Sequence, residues 1–435
     1  MKFGGTSVGS AGRILDVVGI VKSQLCNEPI VVVSALGGVT DSLINIGNES
    51  ASGKDVSLML EQVIDRHYEM VNRLNLDKKI IAKEVEQLSR LVGEIFLLGE
   101  ATPRNIDKLM SFGERMSARI VAACMRSFGL HAQAYDAYDL GMTTTPNFGD
   151  ADVLPETYQN IREGLANKKE IPVITGFIGK SRNGDITTLG RGGSDYTASI
   201  IGAAVGAREI QIWTDVNGIM TADPKIVKTA RSVDEVSYKE AAELAMLGAK
   251  VLHPKTILPA VENNIPVRIL NTFNPRHRGT LVLNSISTGS RVTSITYKKH
   301  ILAISISKSG KLDEKGFLKK VLETFDRRGV PVDLISNSKI GVSVTIDEKY
   351  GTVELMDDLK KVGKVEVKSN RARVSLVGND LLYMPDILET MYSSLKRIRI
   401  EMVSSSISEK NTSIVIEEKY ADSAVKRLHT TFFSR

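Results

Sequence analysis

Four short apolar runs constrain this chain more than any other feature. Ile30-Val31-Val32-Val33 leads into Ser34-Ala35-Leu36-Gly37-Gly38, Ile171-Pro172-Val173-Ile174 into Thr175-Gly176, and Ile210-Gln211-Ile212-Trp213 into Thr214-Asp215, with Pro266-Val267-Arg268-Ile269-Leu270 as the fourth. Runs of this kind suit strands covered on both faces, as in a parallel sheet. Helical patterns lie between them; Ile14, Val17, Val18, Val21 and Leu25, for example, fall on one face. The alternation predicts an α/β fold, a mainly parallel sheet between helical layers, whose ligands gather at the carboxyl ends of the strands.

Residues 50–100 interrupt that rhythm. Leu60, Val63, Ile64, His67 and Val71, then Ile81, Val85, Leu88, Val92 and Ile95, recur at helical spacing. They predict a helical insertion over 50–110, with His67 packed in its core. The Ser/Thr/Gly-rich stretch 284–298 reads as a connector closing a first domain at 1–283. Beyond it a strand–helix–strand–strand unit occurs twice, at an offset near 70 residues. Val374-Ser375-Leu376 answers Ile304-Ser305-Ile306, and Met402-Val403-Ser404 answers Leu334-Ile335-Ser336. Two α+β modules, 299–368 and 369–435, are expected, and they can interleave.

Composition removes several function classes. The 435 residues allow roughly two to four domains. Hydrophobic residues at 42% and charged residues at 25% exclude a disordered or low-complexity chain. The net charge of +6 raises the question of a nucleic-acid partner. However, 24 basic against 19 acidic residues between Lys299 and Arg435 place +5 of it in the repeated modules. No module interleaving aromatic and basic residues accompanies it, so no nucleic acid is expected. No run approaches the roughly 18 apolar residues of a membrane span, and the amino terminus lacks a signal-like h-region. Cys26 and Cys124 are too few for a disulfide framework and read as reduced, buried thiols of a cytoplasmic protein.

Several motifs carry chemistry. In Lys2-Phe3-Gly4-Gly5-Thr6-Ser7, glycines after a strand let backbone N–H groups approach an anion, and a lysine beside them neutralises it. Ser34 to Thr40 offers a second small, hydroxyl-bearing turn. In Thr188-Leu189-Gly190-Arg191-Gly192-Gly193-Ser194-Asp195 a guanidinium fork suits a carboxylate, and the glycines admit a substrate against the backbone. Glu114, in Ser111-Phe112-Gly113-Glu114, can hold an ammonium group or complement a helix dipole. Thr214-Asp215 and Ala222-Asp223-Pro224-Lys225 present polar groups suited to a nucleoside. His253, in Gly248 to Pro254, has no partner at metal spacing and reads as structural; no protein metal site is expected.

In this order the motifs resemble those of the aspartokinases, over essentially the whole chain. The resemblance implies an amino-acid-kinase fold followed by paired C-terminal ACT (βαββαβ) modules. It also implies an activity: phosphorylation of the L-aspartate side-chain carboxylate by ATP with Mg²⁺. The product would be 4-phospho-L-aspartate, at the head of lysine, threonine and methionine synthesis. Lys2, Gly4 and Gly5 would hold the transferring phosphoryl group, with Ser34 and Thr40 near it and the substrate carboxylate. Arg191 would grip the α-carboxylate and Glu114 the α-ammonium, while Ser194 and Asp195 complete the pocket. Thr214, Asp215, Met220, Lys225 and Lys250 would contact the nucleotide. Met220 stands where tyrosine is common in the family, and Lys225 where arginine is. Only Met1 precedes the lysine here, so the first strand is shortened or the start lies upstream. The insertion, with Gly316-Phe317-Leu318 and Val332-Asp333-Leu334-Ile335, is most similar to the single-function, lysine-inhibited members. An amino-acid effector, lysine before threonine, would then meet Phe317, Leu318, Val332, Asp333 and Ser338, and the ACT modules would pair the chain into a homodimer or tetramer. A different amino-acid-family kinase, acting on glutamate for instance, and a sensor without turnover are the alternatives.

Overall fold

The computed structural model describes all residues except 249–251, 287–288, 309–313, 339, 406–409 and 435, and leaves aside the side chains of 314 and 315. The chain divides into two compact units. One comprises Met1–Ile219, Asp234–Tyr238 and Val251–Ile286; the other comprises Met220–Val233, Lys239–Lys250 and Ser287–Arg435.

An eight-stranded sheet organises the first unit, in the order Ala132–Tyr135, Ile171–Thr175, Val31–Val33, Lys2–Phe3, Ile210–Thr214, Val267–Asn271, Thr280–Leu283, Glu235–Ser237. The first six strands run parallel, and Thr280–Leu283 turns against its neighbour. All four sequence runs are therefore strands of one mainly parallel sheet. Val31–Val33 is fully buried, and Phe3 stacks on Trp213 with ring centroids 5.8 Å apart. A small sheet of Thr143–Thr144, Ile178–Ser181 and Ile186–Thr188, which the apolar pattern did not predict, stands apart from it.

The insertion is helical, as expected. Ser57–Arg73 and Lys79–Leu98 form the hairpin, and Gly99 in the left-handed region (φ 65°) closes the second helix. Pro103–Ser127 follows, opened by Thr102 as N-cap to Asn105 with Pro103 in the first turn. His67 lies fully buried, its Nδ1 2.7 Å from the Val63 carbonyl, and burial pulls its pKa down to about 4. Cys124 is buried as expected, but Cys26 is exposed, because it sits in a one-turn surface helix, Leu25–Asn27. Among the described residues no helix is long and apolar enough to cross a membrane.

The second unit carries a six-stranded antiparallel sheet in the order Leu334–Ser338, Gly341–Asp347, Arg291–Ser307, Lys364–Asn379, Asn411–Glu417, Ile400–Ser405. Its two central strands, 17 and 16 residues long, serve both modules. Ile301–Ser307 pairs with Gly341–Asp347, whereas the preceding half, from Arg291, pairs with Arg373–Asn379. The modules interleave.

Two expected boundaries need correction. The connector 284–298 becomes strand at Arg291. Its hydroxyl residues read as linker, yet Thr293 and Ser294 are buried with their groups bonded: Thr293 Oγ1 to Glu240 at 2.5 Å and Ser294 Oγ to the Met220 carbonyl at 2.7 Å. A β-branched threonine fits a strand once its hydroxyl is satisfied. The first domain is also not the continuous stretch 1–283. Ala222 and Val227 join Ile295, Leu376 and Leu428 in the second unit's core, the Ile295 N–H donates to the Thr221 carbonyl at 2.9 Å, and Thr221 Oγ1 meets His429 Nε2 at 3.0 Å. The first module's helix, Glu314–Arg327, is followed by Gly329 in the left-handed region (φ 63°), and its next strand is Leu334–Ser338.

Candidate active site

Two turns at the carboxyl edge of the parallel sheet are pressed against each other. A Cβ on Gly5 would stand 2.8 Å from the Ala35 carbonyl, so only glycine fits there, and the Gly37 N–H donates to the Gly5 carbonyl at 3.1 Å. The Gly4 N–H is tied to the Trp213 carbonyl of the neighbouring strand at 3.3 Å. Lys2 reaches across this edge to Asp195, with Nζ 2.6 Å from Oδ1, both side chains mostly buried. Asp195 lies in the first turn of the helix Gly193–Val205, where the helix dipole favours negative charge. Gly192 (φ 75°) makes the left-handed turn into that helix.

Glu114 closes the opposite wall. A Cβ on Gly113 would come within 2.8 Å of Ala35 Cβ, so the helix Pro103–Ser127 lies directly on the second turn. That contact lets the Ala35 N–H donate to Glu114 Oε1 at 3.1 Å, while Oε2, equally buried, has no hydrogen-bond partner. Burial pushes the Glu114 pKa up to about 8, against the opposing pull of the Ala35 N–H. A buried carboxylate with one oxygen lacking a hydrogen-bond partner is costly to desolvate and suits a cationic ligand group.

These groups line one cavity of about 300 Å³, holding Lys2, Gly5, Ser34, Thr40, Glu114, Ser194 and Asp195 together. Gly190 of the glycine-rich motif lines it as well, as do Asp41 and Phe177, which were not anticipated. Phe177 adopts φ 70° and its N–H donates to Thr197 Oγ1 at 3.0 Å; the preceding Gly176 has no room for a Cβ, which would stand 2.6 Å from Ser194. The Thr175-Gly176 strand ending was the available signal for this wall.

Other expected residues are not gathered there. Arg191 is exposed and outside the lining, and Gly4 stands just behind Gly5. Thr214 ends its strand with Oγ1 donating to Asp215 Oδ1 at 3.2 Å. Met220 and Lys225 belong to the second unit: Met220 Sδ receives the Ser232 hydroxyl at 3.5 Å, and Lys225 is exposed. Lys250 lies outside the described residues. His253 is exposed at the start of the helix Pro254–Glu262.

Of the effector residues, Phe317 is 2% exposed and packs in a core with Val321 and Phe325, with Leu318 and Val332 partly buried against it. The Asp333 carboxylate already faces Lys298 Nζ at 2.9 Å and Arg373 at 3.8 Å, and Ser338 Oγ donates to the Gly341 carbonyl at 3.0 Å. Among the described residues no cluster of three or more metal-ligating side chains occurs. Mg²⁺ is ordinarily held by one or two carboxylates together with substrate phosphates, and Asp41 and Asp195 supply carboxylates to this cavity.

The sheet and cavity define a class. Residues 1–271 match the model of the amino acid kinase family, and residues 374–432 match that of an ACT domain. The chain belongs to the aspartokinases. It is 37% identical to aspartokinase 1, chloroplastic, of Arabidopsis thaliana, covering 100% of this chain and 80% of the relative. The solved structure of E. coli aspartokinase III with aspartate and ADP (R-state) superposes with TM-score 0.80 at 31% identity, over 99% of both chains. The same enzyme with lysine and aspartate (T-state) gives 0.85 at 32%, over 99% of this chain and 98% of that one.

Proposed function

We propose that this chain is an aspartate kinase, transferring the γ-phosphoryl group of ATP to the side-chain carboxylate of L-aspartate. The product is 4-phospho-L-aspartate, the first intermediate toward lysine, threonine and methionine. The observation that carries the reading is the Glu114 carboxylate, buried with Oε2 unpartnered, in the same cavity as Lys2 and the glycine turns. One end of that cavity accepts an ammonium and the other a phosphate.

Phosphoryl transfer needs positioning and charge neutralisation rather than a protein nucleophile. Glu114 receives the α-ammonium and Ser194 the acceptor's polar edge. The exposed Arg191 folds over the α-carboxylate when substrate arrives. Ser34 and Thr40 orient the attacking carboxylate. Lys2, now paired with Asp195, turns to the phosphate oxygens as charge develops there, and the turns bearing Gly4 and Gly5 keep the backbone close. Mg²⁺ bound to the nucleotide would be met by Asp195 and Asp41, and it supplies charge neutralisation at the phosphates. Thr214 and Asp215, at the end of the strand Ile210–Thr214, contact the nucleotide.

Regulation belongs to the second unit. An end-product amino acid, lysine before threonine, binds around Leu318, Val332, Asp333 and Ser338, with Phe317 shaping the site from beneath. Support comes from the lysine complex of the E. coli relative. The modules pair the chain as a homodimer or tetramer. An exposed free thiol at Cys26 is consistent with a reducing, cytoplasmic setting. An ADP-release assay with aspartate, run with and without lysine or threonine, tests the proposal. Aspartate-dependent turnover inhibited by lysine is expected; activity on glutamate but not on aspartate would refute it.

A further inference from the structure

Asp107 lies two helical turns before Glu114 on the same helix and is 1% exposed. Its carboxylate gathers two segments remote in sequence. Oδ2 accepts the Thr188 N–H at 2.7 Å and the Gly149 N–H at 3.0 Å, and Oδ1 accepts the Thr188 hydroxyl at 3.0 Å. The Thr188 carbonyl in turn accepts the Ala151 N–H at 2.9 Å. The cluster thus knots the helix, the 146–151 loop and the end of the strand Ile186–Thr188.

The strand runs directly into Leu189-Gly190-Arg191-Gly192-Gly193-Ser194-Asp195, the opposite wall of the cavity from Glu114. The second tied segment buttresses the same wall. A Cβ on Gly190 would collide with the Asp150 carboxylate, and Asp150 and Asp152 are both held by Lys255 Nζ, at 3.3 and 3.2 Å. One buried side chain therefore sets the separation between the carboxylate on the helix and the glycine-rich loop.

We propose that Asp107 is a positioning residue for the phosphoryl acceptor: it fixes the span between Glu114 and the Gly190–Asp195 loop, and with it the fit of a small zwitterionic amino acid. This rests on the function proposed above. The knot holds the loop at Thr188 and Gly190, the end away from Asp195 and its pair with Lys2, so the larger effect falls on the acceptor rather than on ATP. An asparagine can replace the aspartate: its oxygen accepts the two backbone N–H groups, and its NH₂ donates to the Thr188 hydroxyl. An alanine leaves two buried backbone donors without an acceptor.

Steady-state kinetics and melting of Asp107→Ala, Asp107→Asn and Thr188→Val in the full chain provide the test. For Asp107→Ala, KM for aspartate should rise about tenfold or more, with KM for ATP within about twofold of the parent. Asp107→Asn should restore KM for aspartate to within about threefold. Thr188→Val, which keeps both backbone bonds, should give an intermediate rise and decides the matter if the alanine variant does not fold. A lowered melting temperature with KM for aspartate unchanged, or equal increases in KM for both substrates, would overturn the proposal. An unmodified chain without aspartate-dependent ADP release would strike the function reading instead.

Discussion

Glu114 and Asp333 are both proposed to receive an ammonium group, and the two units prepare them in opposite ways. In the first unit Glu114 has a single backbone donor and an idle oxygen, and burial holds it largely protonated at neutral pH. In the second unit Asp333 is partly exposed and already shares Lys298 with Asp347. The Glu114 carboxylate is desolvated with one oxygen lacking a hydrogen-bond partner, whereas the Asp333 carboxylate would have to release the Lys298 ammonium before it could accept an effector. Asp136 makes the contrast sharper. It too is buried, close to Glu114 in sequence, but Arg119 and Arg115 hold it below the usual carboxylate range. Full pairing marks Asp136 as a structural carboxylate, whereas an unpartnered oxygen on a cavity wall makes Glu114 a candidate ligand-binding group.

The largest expected effect tests the cavity of the first unit. Lys2→Ala should lower kcat/KM at least about a hundredfold, several kcal/mol of lost transition-state stabilisation, read in the ADP-release assay. A near-normal rate would remove Lys2 from the phosphate. Glu114→Gln should come next, raising KM for aspartate by about tenfold or more while leaving KM for ATP nearly unchanged, as a charge-assisted bond to the ammonium is replaced by a neutral one. Equal changes in the two constants would place the ammonium elsewhere.

A pH series separates the carboxylates further. The Glu114 pKa is raised from 4.5 to about 8, so between those values the folded, ligand-free chain keeps a proton that the unfolded chain has lost. Its contribution to stability accordingly declines as pH rises through that window. Glu114→Gln abolishes the decline, so its melting temperature relative to the parent should improve between about pH 5 and about pH 8. A pH-independent difference between the two proteins would contradict the raised pKa.

The smallest effects belong to the regulatory side. Asp333→Ala should abolish lysine inhibition with basal turnover preserved, and Lys298→Met, by removing the nearer of the two cations facing Asp333, should lower the half-inhibitory lysine concentration about threefold. Unchanged inhibition in the first variant would move the effector site.

How much of this was legible in the sequence depended on distance along the chain. Strands such as Val31–Val33, with uninterrupted β-branched residues, and the glycine turns after them were readable because both signals are local. Glu114 was found as a lone carboxylate, but the hydrogen bond that holds one of its oxygens comes from Ala35, 79 positions away. Asp107 gave no signal, since its partners lie 42 and 81 positions off. The segments 220–233 and 239–250 read as part of a continuous first domain because nothing in their composition shows that Thr221 and Glu240 bond into the other unit. The connector failed for a chemical reason: buried threonine and serine look like linker until their hydrogen-bond partners are known.

The most direct test is the proton count on aspartate binding, measured by titration calorimetry with ADP present, at pH 7 in buffers of different ionisation enthalpy. Since Glu114 is mostly protonated at that pH and must ionise to hold an ammonium, about one proton should be released per aspartate bound, and none in Glu114→Gln. A binding enthalpy independent of the buffer in the parent protein, or the same proton release in the variant, would contradict the assignment of Glu114 as the carboxylate that receives the ammonium.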